Sequence, residues 1–192
     1  MQTADRKVLV ILAEGFEEIE ALAPVDILRR SGASVTVAGL GSKQICGSHG
    51  ISVSCDVKLS DVLSNNYDAV VLPGGLPGAQ NLHDSNDVAS ILKATNSKNN
   101  LVCAICASPA YVLAPLGLLE GRKATCYPGV GKIKAPEINF ENERVVVDGN
   151  LITAQGPGTA MEFGFAIVKG LLGQEISEKL KKEMICKGVD NV

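Results

Sequence analysis

Cys103 and Cys106 stand three residues apart in LVCAICASPAYVLA (101–114), where an apolar run gives way to small residues and a proline. Thiols at this spacing serve three chemistries: a redox pair, a pair of metal ligands, or one nucleophile beside one core residue. Side chains alternate faces along a strand, so the two sulfurs should point apart, and a disulfide between them would need a helical segment. Cys103 lies inside the apolar run and reads as a small core residue. Cys106 falls at a strand-to-helix junction, followed by Ala107 and Ser108, with Pro109 in the first turn where its missing N–H costs little. Small neighbours allow the sharp turn of a nucleophile elbow, which leaves the nucleophile exposed above the sheet. A helix N-terminus beneath it would favour the thiolate. A cysteine that merely occupies a tight turn is the alternative reading of the same residues.

A thiolate nucleophile needs hydrogen-bond donors for developing charge, and a proton partner. The N–H of Ala107 and the Gly74-Gly75 turn are the natural oxyanion pair, and one such donor is typically worth roughly 3 kcal/mol in the transition state. The two histidines, His49 and His83, fall in a hairpin region and before a helix, and both read as solvated surface. EGFEEIE (14–20) offers carboxylates instead. Glu14, Glu17 and Glu18 read as a hydrated helix start that suits the dipole. Glu20 sits between Ile19 and Ala21-Leu22; burial would raise its pKa, keep it protonated beside a thiolate, and make it a sufficient acid/base partner.

The elements that must position these groups alternate. KVLVILA (7–13), ASVTVAGL (33–40), DAVVLPGG (68–75) and NLVCAI (100–105) read as short buried strands, and RKATCY (122–127) as a further strand. A helix is predicted over 17–31, kinked at Pro24. Others are predicted over 84–95, opened by Asp84 or Ser85, and from Cys106 to about Leu116. Residues 43–58 read as a small hairpin, and 144–154 as a hairpin about Asp148-Gly149. Thr159 and Glu162 have capping-box spacing before an apolar helix face of Phe163, Ile167 and Leu171. EISEKLKKEMICKG (175–188) reads as a packed amphipathic helix. This alternation predicts an α/β sandwich, three layers with a mainly parallel central sheet and helices on both faces. Parallel strands place their carboxyl-end loops on one rim. Glu14-Gly15-Phe16-Glu17-Glu18, Pro73-Gly74-Gly75, Cys106-Ala107-Ser108-Pro109, Tyr127-Pro128-Gly129 and Gln155-Gly156-Pro157-Gly158 converge there around something small.

With 192 residues the chain fits one domain, 1–192, whose core is aliphatic: 46% of residues are hydrophobic and 4% aromatic. A net charge of −3 gives no reason to expect nucleic acid or an anionic membrane as partner. The first apolar run is too short for a spanning helix or a signal peptide, so a cytoplasmic location with reduced cysteines is expected. The six cysteines show no repeated metal-ligand spacing, and no metal is expected. One glycine followed by acids after the first strand, and a GLGSK (39–43) without P-loop spacing, argue against nucleotide binding.

Four stretches in unbroken order, ILAEGFEEIEALAPVDILRRSGASVTVAGL, DAVVLPGGLPGAQNL, CAICASPA and GPGTAMEFGFAIV, resemble the ThiJ/PfpI superfamily and look closest to its Parkinsonism-associated deglycase branch. The resemblance runs from about Val8 to Gly173. It implies a flavodoxin-like fold, a homodimer and no metal or organic cofactor. Carried over by motif, it makes Cys106 the nucleophile, Glu20 the acid/base, and Gly75 and Ala107 the oxyanion donors. Tyr127 stands where the family often has a histidine before a proline; it can donate a hydrogen bond but, with an ordinary pKa near 10, is a poor base. No histidine follows Cys106 directly, as one does in protease-like members, which sets a peptidase or amidotransferase aside.

The expected activity is that of a cofactor-independent cysteine enzyme of glyoxalase III or protein deglycase type. It would act on methylglyoxal, glyoxal or early glycation adducts of an amine or thiol, and release lactate or glycolate. The alternative is a non-turnover oxidative-stress sensor or redox-dependent chaperone working through oxidation of Cys106.

Overall fold

The computed structural model describes residues 6–186. In chain order its strands are β1 (Lys7–Leu12), β2 (Ser34–Gly39), β3 (Gln44–Cys46), β4 (Ser52–Ser54), β5 (Val57–Lys58), β6 (Ala69–Leu72), β7 (Leu101–Ile105), β8 (Val145–Asp148) and β9 (Leu151–Ala154). The helices are α1 (Glu18–Arg30), α2 (Gly78–His83), α3 (Asn86–Ser97), α4 (Val130–Lys134), α5 (Ala160–Leu172) and α6 (Gln174–Glu183). Seven strands form one sheet in the order β5-β2-β1-β6-β7-β9-β8, in which every pairing is parallel except β8 with β9. The fold is a flavodoxin-like α/β fold: a mostly parallel sheet with helices around it.

β1 shows why the strands read as continuous apolar runs. Val8, Val10 and Leu12 point into the layer of α1 and α5, with Ile27, Leu28, Phe163 and Ile167. Leu9 and Ile11 point into the opposite layer, with Val88 and Leu92 of α3 and with Val112 and Leu113. A strand covered on both faces has no polar side to show. Helices α1 and α5 approach closely because a Cβ at Gly164 would lie 2.8 Å from Ile27 Cδ1 and 3.3 Å from Pro24 Cα. Pro24 does not end α1; the helix continues through it.

Several local expectations are corrected. Residues 122–127 form no strand, although Thr125 N–H donates to Thr153 Oγ1 (2.9 Å) and so lies along the sheet. The segment after Cys106 is not an α-helix to Leu116: Pro109–Leu113 forms one wide turn in which Ala114 N–H reaches the Pro109 carbonyl, and turns follow through Pro115 and Gly117. The late hairpin turns at Gly149-Asn150, one residue beyond the expected pair. Thr159 and Glu162 make no capping box. Thr159 Oγ1 donates to the Gly156 carbonyl, and Glu162 pairs with Arg144. Ser85 caps α3 through Val88 N–H, one of the two starts expected, while the short α2 was not foreseen. Among the described residues, no helix is long and apolar enough to cross a membrane.

Candidate active site

The carboxyl ends of β1, β6, β7 and β9 share one rim, and the chain is pressed together there. After β1, Gly15 (φ 81°) packs on Pro77, and Glu17 N–H donates to the Gly74 carbonyl at 3.0 Å. After β6, Gly75 adopts φ 86°, and a Cβ on it would lie 2.5 Å from Glu17 N and 2.6 Å from the Gly15 carbonyl oxygen. Both the left-handed backbone and the crowding call for glycine. After β7, Cys106 N–H still bonds the Ala154 carbonyl (2.9 Å), but the residue itself turns to φ 65°. That conformation costs a non-glycine residue of order 1–3 kcal/mol. Ser108, fully buried, holds the turn by donating to the Pro73 carbonyl at 2.5 Å.

Around this turn the structure brings Cys106, Glu20, Gly75 and Ala107 together. The Gly75 and Ala107 N–H groups lie near enough to the Cys106 sulfur to favour its charged form. Glu20 is 0% exposed, and its Oε2 accepts from Gly74 N–H at 2.8 Å. Its Oε1 has no partner of good hydrogen-bond geometry, yet the carboxyl stands close enough to the thiol for each group to perturb the other's titration. Burial pushes Glu20 up to about 7, against the pull of Cys106 and Gly74 and with a further push from the Glu17 charge. Burial also pushes the Cys106 thiol up, assisted by the Glu20 carboxylate and opposed by the two N–H groups. A thiol lowered by an α-helix N-terminus is the expectation here; the residues that follow make one wide π-helical turn instead, and burial together with the Glu20 charge works against the thiolate. Tyr127 stands at the rim, 47% exposed, its N–H on the Cys106 carbonyl (2.8 Å). A Cβ on Gly156 would lie 3.2 Å from the Tyr127 ring and 3.9 Å from Glu20 Oε1, so the ring and the carboxyl flank that glycine.

Three contributors were not legible as such. Gly74, in sequence only part of an oxyanion turn, donates to Glu20, and a Cβ there would meet Cys106 Cβ at 2.7 Å and Glu20 Oε2 at 2.8 Å. Glu17 is buried and caps α1 by accepting Glu20 N–H at 2.7 Å, a role its position three residues ahead could have signalled. Glu18 is buried rather than hydrated. It accepts from His49 N–H and Nδ1 (both 2.8 Å) and from Ile51 N–H (3.3 Å), which ties the β3–β4 hairpin to α1. His49 is thus exposed as expected, but not idle. Glu14 is exposed and accepts from Cys46 N–H, and His83 is exposed at the end of α2. Cys103 is fully buried core. Glu17, Glu18 and His49 are the described residues whose ligand atoms could converge on a cation, within 4.8 Å of one another. Glu17 Oε2 and both Glu18 carboxylate oxygens are already engaged in the cap and the hairpin tie.

A mostly parallel sheet with a strained cysteine above one strand, faced by a buried carboxyl, defines an α/β protein with a cysteine–carboxyl site. The DJ-1/PfpI family pattern matches residues 6–170, and the chain belongs to that family. It is 43% identical to the zebrafish (Danio rerio) Parkinson disease protein 7 homolog, across 96% of this chain and 99% of the relative. It is 44% identical to Arabidopsis thaliana protein DJ-1 homolog B over 92% of its residues, but spans only 40% of that relative, less than half its length. The glutathione-independent glyoxalase DJR-1.2 of Caenorhabditis elegans is 33% identical, over 94% of this chain and 97% of that one. Among solved structures, oxidized Toxoplasma gondii DJ-1 superposes with a TM-score of 0.90 at 38% identity, covering 94% of this chain and 98% of its own.

Proposed function

We propose that this protein is a cofactor-independent cysteine enzyme that converts reactive dicarbonyls, free or carried as early glycation adducts, to hydroxy acids. The observation that carries the reading is the buried Glu20 carboxyl facing a Cys106 sulfur whose negative charge the nearby Gly75 and Ala107 N–H groups favour. The glyoxalase named among the relatives supports the class of reaction.

Glu20 and Cys106 titrate as a pair. The state with one proton between them has two arrangements of equal charge, thiol with carboxylate and thiolate with carboxylic acid, and the second is the reactive one. The thiolate adds to the aldehyde carbon of methylglyoxal, forming a C–S bond, and the carbonyl oxygen takes the Glu20 proton. The resulting hydroxyl sits within reach of the Gly75 and Ala107 N–H groups. The Glu20 carboxylate then removes the C–H proton of that carbon and returns it to the neighbouring carbon, while the oxygens exchange one proton. A thioester with a new secondary alcohol results. Water hydrolyses the thioester to lactate and restores the thiol, so one water is consumed and no electrons leave the system. Tyr127 lies beside Gly156 where its hydroxyl can donate to the second carbonyl. Methylglyoxal loss and lactate appearance test the scheme: Cys106→Ser should fall to background, and Glu20→Gln by about 10²–10⁴-fold. Wild-type protein no faster than either variant would end it.

A sensor reading rests on a separate observation. Glu20 Oε1 is buried with no partner, so an oxygen added to the sulfur would find the protonated carboxyl waiting to donate. Two peroxide molecules, each reduced to water, would carry the thiolate to sulfinate. Intact mass after mild peroxide should show two oxygens localised to Cys106; oxidation spread over all six cysteines would oppose this reading. The homodimer is also proposed, with Ile19 and Leu22 of α1 and Ile51 of the β3–β4 hairpin, all exposed apolar residues, as its face.

A further inference from the structure

A groove of about 510 Å³ opens beside the candidate site, with Tyr127 and Gln155 among its lining residues. Gln155 precedes Gly156, the glycine flanked by the Tyr127 ring and Glu20 Oε1, so the groove reaches the rim through Tyr127 and Gln155, next to the site but not lined by Cys106 or Glu20. Volumes of roughly 300–1,000 Å³ are those of pockets that enclose drug-sized ligands, far more than a three-carbon dicarbonyl fills. The groove lies in the irregular excursion between β7 and β8, along α4 and the loop after it. Its lining combines two aromatic rings, Tyr127 and Phe140, with the side-chain amides of Asn139, Asn142 and Gln155. Two carboxylates, Glu137 and Glu141, stand against one ammonium, Lys132. Amides match a peptide backbone, rings match aliphatic stems, and the excess carboxylate disfavours an anionic carrier.

Resting on the function proposed above, we infer that this groove is the carrier subsite: it holds the peptide of a carbonyl adduct borne on a lysine amine, with a preference for basic sequence. The adduct is a carbinolamine. Its C–N bond breaks as the Cys106 C–S bond forms, the amine leaves with the bonding pair and takes the Glu20 proton, and the same hemithioacetal results as from the free aldehyde. No oxidant or reductant is needed. Glutathione hemithioacetal, an anionic adduct, is the carrier that the charge arrangement opposes.

The test compares kcat/KM for free methylglyoxal, for its carbinolamine on an arginine-flanked lysine peptide, and for its glutathione hemithioacetal. Spontaneous release is measured with Cys106→Ser protein and subtracted. The double variant Glu137→Lys/Glu141→Lys should lose fivefold or more on the peptide adduct, Lys132→Glu should gain, and both should keep free methylglyoxal turnover within twofold. Peptide turnover no faster than spontaneous release, equal changes on all substrates, or preference for the glutathione adduct would overturn the subsite while leaving the catalytic reading intact. A separate arm follows anisotropy of the labelled, unmodified peptide with Cys106→Ser protein. Binding weakened by the double variant supports the groove, and no binding overturns it. Wild-type protein inert on free methylglyoxal defeats the function itself.

Discussion

At the residue scale the site is a balance between two groups that burial would keep neutral. Glu20, with an ordinary value of 4.5, is pushed to about 7 in the fold. Between those values the unfolded chain has released a proton that the native chain still holds, so stability falls as pH rises, and the cost is complete above about 7. It amounts to about 3 kcal/mol. Glu20→Gln is therefore expected to be more stable than wild type at pH 8, by up to about that amount, and nearly equal to it below pH 4.5, as denaturant titrations at the two values will show. Activity should run the opposite way. The one-proton state of the pair replaces the doubly protonated state as pH rises through about 7, so kcat/KM should climb across that range in wild type, and a flat profile would break the link between Glu20 and the reaction. Gly74 tests the spacing. Gly74→Ala inserts a methyl 2.7 Å from Cys106 Cβ, and should cost about 1–3 kcal/mol of stability and at least tenfold in activity. Unchanged activity would mean that the distance between the two groups does not matter.

At the element scale, what was legible was what periodicity and chain punctuation encode. β1, β6 and β7 announce themselves as apolar runs because both faces of the sheet are covered, and Cys106 stands out because small residues and a proline follow it. The region 122–127 misled because its residues have strand character while its one tie to β9 is a side-chain hydroxyl. The shape of the segment after Cys106 was not legible, since Pro109 permits a helical start without choosing its hydrogen-bond pattern. The fates of Glu17 and Glu18 were hidden for a different reason: their partners, the Glu20 amide and the distant β3–β4 hairpin, exist only after folding. That hairpin gives a prediction of its own. His49 is raised above 6.5 by Glu18, and Glu18 is lowered below 4.5 because its hydrogen bonds, His49 foremost, outweigh burial. The tie is at full strength between 4.5 and 6.5; it weakens at higher pH as His49 loses its proton and at lower pH as Glu18 gains one. Protection of the residue 47–51 amides, taken relative to their intrinsic exchange at each pH, should be highest within that window and fall on either side, and His49→Ala should remove the alkaline limb. An identical profile in the variant would mean that the two backbone amides on Glu18 hold the hairpin without the ring.

At the scale of the whole molecule, α1 links the site to the surface. One face packs on α5 and carries Glu20 inward, while Ile19 and Leu22 on the other are 56% and 38% exposed. Ile51, 56% exposed, belongs to the hairpin tied to the same end of α1, its N–H reaching Glu18. Apolar side chains gathered where an element meets a hairpin suit a two-fold contact, in which each copy offers the same patch. A stable contact needs about 800 Å² from each partner, so these three residues would form its centre and polar neighbours its rim. Ile19→Lys combined with Ile51→Lys places four like charges at that centre in a two-fold pair, and should convert a dimer to a monomer in sedimentation velocity. Because the Glu17 cap and the Glu18 tie both sit at the end of α1 that the contact would cover, loss of the partner should also lower activity and make the melting temperature of wild type, but not of the variant, depend on concentration. A wild-type chain that sediments as a monomer at about 100 times the concentration of a typical assay would remove the contact, and a double variant that stays dimeric would move it to another face.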